Sequence, residues 1–211
     1  MRPFVKCTLA VSILAALAAS APAAEKMLIP EEGTIEIMLL RQKSVRHELK
    51  VSDNEYQKIH KYASEQWKKA KDLSTKSQKE QDQRFHEMAK ENEQFLEKTL
   101  TKEQHKRLNE ITLQVAGLLY STRPDIAAKL KLTDDQKQKM KKYQDEARHD
   151  LEKALEAKDS KERHKNLSEL HKVNRDRLYE VLTDQQEVAW KQLTGAPFNG
   201  ELEYTSQAST K

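Results

Sequence analysis

The sequence predicts an all-α protein, built as elongated helical hairpins or a bundle from two tandem units. Three observations predict it. One five-residue phrase is written four times: VSDNE at 51–55, LTKEQ at 100–104, LTDDQ at 132–136 and LTDQQ at 182–186. Each copy has a Ser or Thr followed three residues later by Glu or Gln, the capping box in which two side chains satisfy orphan N–H groups at a helix start. Apolar residues then recur at helical steps of three and four, and no stretch alternates with period two over the length of a strand. The composition is 34% charged and 6% aromatic, with four glycines and five prolines in 211 residues. Such a chain has too little apolar material for a thick core, but it suits long helices with narrow apolar stripes.

Residues 1–24 read as a secretory signal peptide. Arg2 and Lys6 form the charged start, the apolar run from Leu9 to Ala19 is shorter than the ~20 residues that a membrane span needs, and Ala21–Pro22–Ala23 is a small-residue cleavage signal. The one cysteine, Cys7, lies ahead of the apolar run, so the cleaved chain has no thiol for disulfides, metal ligation or nucleophilic catalysis. Cleavage removes Arg2 and Lys6 from a formal charge of +4, leaving about +2. A balanced chain of this kind is not a nucleic-acid binder.

The first helical unit spans 25–120. Ser52 with Glu55 marks a helix start, and Tyr56, Ile59, Ala63, Trp67 and Ala70 form its stripe. A polar break at 74–77, with Thr75 placed to cap, precedes a returning helix carrying Phe85, Met88, Phe95 and Leu96. Leu100, Thr101 and Gln104 then open a second capped segment with Leu108, Ile111, Val115 and Leu119. The second unit spans 121–198. Leu132, Thr133 and Gln136 start a helix with Met140, Tyr143, Ala147, Leu151 and Leu155. After a break at 158–160, with Asp159 placed to cap, Leu167, Leu170, Asn174 and Leu178 mark the return. Leu182, Thr183 and Gln186 open the last segment, with Val188, Trp190 and Leu193 before Gly195 and Pro197 stop it. Residues 199–211 are poor in apolar side chains and are expected to be a disordered tail.

Acidic residues Asp53, Glu103, Asp134, Asp135 and Asp184 stand in the first turns, where the helix dipole favours them. The apolar residue before each cap is expected to enter a shared core. Ser52 and Thr133 are 81 residues apart, Thr101 and Thr183 82 apart, and the flanks match at the same offset, VRHELKVSD at 45–53 against IAAKLKLTD at 126–134. The chain reads as a tandem duplication, with two caps per unit.

These motifs resemble the Spy/CpxP-type family of periplasmic proteins, whose hallmark is a pair of LTxxQ motifs in a small all-helical unit. The resemblance runs from Val45 to Gly195. VSDNE is a degenerate copy, and paired motifs lie about 50 residues apart, with two pairs in one chain. The resemblance implies a periplasmic or secreted protein and an ATP-independent chaperone, or holdase, for unfolded or partly folded envelope proteins, with a homodimer as one assembly. The alternative it implies is an envelope stress or metal-responsive regulator without chaperone activity.

A holdase needs modest apolar strips on stable, charged helices. Trp67, Phe85, Phe95 and Trp190 are the candidate client contacts. Glycines at 33, 117, 195 and 200 build no phosphate loop after cleavage, no serine elbow is present, and no carboxylate pair stands out, so no catalytic residue and no cofactor is assigned. The seven histidines form no HxxxH pair. Asp145, Glu146, His149 and Glu152 share a helix face, yet solvated surface side chains explain them better than a zinc site, and no metal ligand is assigned. The mixed-sign run 76–84 is a solvated helix face and not the purely basic one of a membrane-surface helix, so no membrane insertion is expected after signal cleavage.

Overall fold

A computed structural model describes residues 33–73, 75–157 and 159–202. The expected signal peptide and residues 203–211 of the expected tail lie outside them. Among the described residues the chain is all-α, with nine α-helices, one 3-10 turn and no strand. It forms two compact units, one of residues Pro30–Asn109 and one that holds the residues from Glu110 onward.

The unit Pro30–Asn109 contains α1 (Thr34–Leu39), α2 (Lys43–Glu48), α3 (Asp53–Leu73), α4 (Gln78–Thr99) and the start of α5 (Lys102–Ala116). Helix α1 has no counterpart in the sequence reading. It packs on both α3 and α4, and Ile35, Leu39, Leu40, Val45 and Ile59 are all fully buried. Gly33 begins it with φ +86°, and the buried Glu36 carboxylate accepts the Gly33 N–H at 2.9 Å. The break after α3 falls where expected, but the cap is Ser77. Its N–H and hydroxyl donate to the Glu80 carboxylate at 3.1 and 2.6 Å, while the hydroxyl of Thr75 turns back to the Asp72 carbonyl.

From Glu110 onward, α5 runs into the 3-10 turn Gly117–Tyr120 and is followed by α6 (Pro124–Leu130), α7 (Asp134–Leu155), α8 (Ser160–Val181) and α9 (Asp184–Thr194). Helices α7 and α8 pack as a hairpin, and Asp159 caps α8 by accepting the Glu162 N–H at 2.9 Å. Met140, Ala147, Leu151, Leu167 and Leu178 bury the stripes of this hairpin. In α9 the expected stripe is only partly right, since Trp190 is buried but Val188 is 55% exposed. The two are only two residues apart, a spacing that places them on different helix faces.

The tail prediction is corrected at its start. Residues 199–202 are described, and Leu202 is 5% exposed. The Gln114 side chain ties down the approach to it, donating to the carbonyls of Thr194 and Ala196 at 2.7 and 2.9 Å and accepting the Phe198 N–H at 2.8 Å. Local composition carries no sign of an anchor about 80 residues earlier.

Each capping residue lies at a helix start. Thr133 Oγ1 accepts the Gln136 N–H at 3.2 Å, and Thr183 Oγ1 accepts the Gln186 N–H at 3.4 Å. Thr133→Ala and Thr183→Ala should each lower the unfolding free energy by roughly 0.5 to 2 kcal/mol in urea titrations. An unchanged midpoint for both would remove the caps from the account of stability.

Candidate functional site

The four motifs are corners between helices, of two kinds. At Leu100–Thr101 and Leu182–Thr183 the two residues are the whole link: both leucines are extended at φ −98° and −80°, and the threonine that follows already caps the next helix. Leu100 and Leu182, each 7% exposed, point into core while Thr101 and Thr183 stay in solvent. At the other two corners the preceding short helix ends in a left-handed residue, Lys50 or Lys131, each at φ 53°. The next N–H reaches back five residues, Val51 to the Arg46 carbonyl at 2.9 Å and Leu132 to that of Ala127 at 3.0 Å. This is a Schellman closure, in which the apolar residue after the left-handed one covers the helix end. Leu132 is 6% exposed, whereas Val51 is half-buried.

Within each unit the paired motifs also bind each other. Gln136 Oε1 accepts the Thr133 N–H at 3.0 Å to close its own box, and its Nε2 donates to the Val181 carbonyl at 2.8 Å and to Gln186 Oε1 at 2.7 Å. Gln186 mirrors it, accepting the Thr183 N–H at 2.9 Å and donating to the Lys131 carbonyl at 3.4 Å and to Gln136 Oε1 at 3.0 Å. One amide thus serves the N-terminus of its own helix and an orphan C-terminal carbonyl of another. In the unit Pro30–Asn109, Gln104 accepts the Thr101 N–H at 2.8 Å and donates to the Leu49 carbonyl at 3.2 Å. Its partner Glu55 accepts the Ser52 N–H at 2.7 Å, and the Glu55 carboxyl is held below the usual range mainly by that bond, then by the Ser52 hydroxyl, with a smaller contribution from Gln104. A carboxylate has no N–H to donate, so the clasp there runs in one direction.

Three of the four candidate contacts lie on the α3–α4 hairpin, and Trp67, Phe85 and Phe95 are all half-buried. Phe95 stacks on Tyr62, with ring centroids 3.9 Å apart and planes 3° from parallel. The Tyr62 hydroxyl donates to Asn92 Oδ1 at 3.1 Å and accepts from Gln66 Nε2 at 2.7 Å, and burial pushes its pKa up to about 12. Glu91 takes a second bond from Gln66 at 3.1 Å and pairs with Lys69 at 2.7 Å. This polar chain across the hairpin was not expected from the apolar stripes; it fixes the face on which Phe95 stands. Trp190 belongs to the other unit and is 4% exposed, so it is a core residue and not a contact for clients. Among the described residues the exposed large apolar side chains are Val173 and Val188.

The unit from Glu110 onward contains a cavity of about 190 Å³, walled by residues of α5, the 3-10 turn, α7, α8 and α9 and by Phe198. His171 opens onto it. Burial, with the Arg175 charge as a lesser cause, lowers the His171 pKa to about 4. A histidine held neutral in the fold but protonated below about 6.5 in the unfolded chain stabilises fully at neutral pH and loses that contribution as pH falls toward 4. Between pH 7 and pH 4.5 the loss should be on the order of 2 kcal/mol. His171→Gln should flatten this part of the profile in thermal melts, and an equally steep profile in the variant would refute the assignment.

No group of three or more potential ligands is placed to hold a metal ion among the described residues. Asp145 accepts from Arg148 at 2.6 Å and Glu146 pairs with Arg177 at 3.1 Å, so the acidic face considered for zinc is engaged with arginines. No described helix is long and apolar enough to cross a membrane. Comparison with protein-family models, with curated proteins and with solved structures gives no match.

Proposed function

We propose that this protein is an ATP-independent holdase of the bacterial envelope, periplasmic or secreted, of the Spy/CpxP type with the unit duplicated. It binds unfolded or partly folded proteins and requires no nucleic acid, cofactor or membrane insertion. The observation that carries the proposal is the half-burial of Trp67, Phe85 and Phe95 on one strongly charged hairpin. Aromatic rings that keep part of their area in water retain apolar surface to offer a client, and the charges around them keep the carrier soluble. The duplication is supported by the matched corners, with Lys50 and Lys131 left-handed at the same φ one repeat apart.

The test is suppression of aggregation of a reduced or chemically unfolded client at near-stoichiometric protein without ATP. Trp67→Ala and Phe85→Ala should each weaken protection by about threefold or more, while melts show the helices still folded at assay temperature; that size corresponds to less than 1 kcal/mol of lost contact. Thr133→Ala should leave protection intact. No protection at excess wild-type protein would sink the proposal, and a specific saturable partner in its place would favour the regulator.

A further inference from the structure

The geometry points to the cavity of the unit from Glu110 onward as a binding site for a small aromatic or short-chain carboxylate. Its volume, about 190 Å³, exceeds the roughly 150 Å³ of an apolar protein cavity known to admit benzene. Leu151, Leu170, Trp190 and Phe198 supply apolar wall for a ring or a short chain. Arg175 is the one charged side chain among the lining residues, and it is positive. His171 and Arg175 stand four residues apart on α8 and both line the cavity, and no Asp or Glu is among the lining residues.

Charge and hydrogen bonding then select the ligand's head. The Arg175 guanidinium meets Asp176 at 3.3 Å, but that pair joins adjacent residues with side chains 46% and 72% exposed. An exposed pair of this kind is worth little, so Arg175 can turn to a ligand carboxylate and form the stronger two-pronged bond at small cost. His171 makes no hydrogen bond among the described residues, and its imidazole offers one donor and one acceptor to the cavity. A neutral apolar molecule would fill the space and leave both groups unused. A cation would meet Arg175. A carboxylate with a small apolar body satisfies wall and head together, and this site does not depend on the chaperone proposal.

The experiment titrates the full chain with benzoate, and with toluene as the neutral comparator, by calorimetry and thermal melting. Benzoate should bind at millimolar concentrations or below and raise the melting temperature. Arg175→Gln, a change at an exposed position, should weaken benzoate about tenfold and leave toluene unaffected; tenfold is the loss of one charge-assisted contact. Leu170→Phe, which narrows the cavity, should weaken both probes. Absence of benzoate binding to the wild-type chain, or benzoate binding unaltered by Arg175→Gln, would overturn the assignment.

Discussion

Gly33→Ala will lower the stability of the unit Pro30–Asn109 by about 3 kcal/mol, through two independent costs. The backbone at Gly33 has φ +86°, a conformation that costs a residue with a Cβ roughly 1–2 kcal/mol. The added Cβ would also stand 2.8 Å from Asn92 Cβ and 2.9 Å from the Ala89 carbonyl oxygen, both on α4. Neither neighbour yields easily. Ala89 O is backbone inside a helix, and Asn92 is 4% exposed and accepts the Tyr62 hydroxyl. Overpacking of this kind adds about 1–3 kcal/mol. Gly117→Ala is the internal control: its φ is +37° and nothing lies within 4 Å of the new Cβ, so only backbone strain remains. Urea unfolding followed by Trp67 fluorescence in a Trp190→Phe background reports on the unit of Gly33, and Trp190 fluorescence in a Trp67→Phe background reports on the unit of Gly117. A loss at Gly33 no larger than at Gly117 would mean that α1 is not seated against α4.

How much of this was legible in the sequence differs from element to element. The capping boxes announced four helix starts because a cap is a local contract between residues three apart, and nothing distant can overrule it cheaply. The stripes of α3 and α7 were legible for the same reason, with Ile59, Ala63, Met140 and Ala147 all buried at helical spacing. Helix α1 was missed because six residues are too few to display a helical period. Phe198 is held by Gln114, a long-range partner that composition does not reveal. Trp190 is buried as its place in the apolar stripe of α9 implies, whereas Val188, two residues earlier, faces outward. One overlooked signal was available. At the third residue of a helix the dipole favours Glu over Gln, yet three of the four motifs carry Gln, a sign that the amide N–H₂ is needed elsewhere.

That sign leads to the other large effect. Gln136→Glu together with Gln186→Glu will destabilise the unit from Glu110 onward by about 3 kcal/mol at pH 7, while either change alone will cost only about 1 kcal/mol. A single Glu forfeits donation to one carbonyl, Val181 or Lys131, but gains a favourable charge at a helix N-terminus. The remaining Gln still donates across the pair, which reproduces the Glu–Gln arrangement already present at Glu55 and Gln104. With both replaced, the atoms that now meet at 2.7 and 3.0 Å would all be acceptors, and two carboxylates would face each other with no donor between them. Like charges at that distance raise the pKa of one partner in the fold above its unfolded value. Protonation therefore favours the folded double variant, and the lost stability should return as pH falls from about 6 to 4, where one carboxyl becomes the missing donor. A double-mutant cycle at pH 7 and at pH 4.5 measures this directly. Strict additivity at pH 7, with no recovery of coupling in acid relative to the single variants, would mean that the two motifs cap their own helices and do not clasp each other.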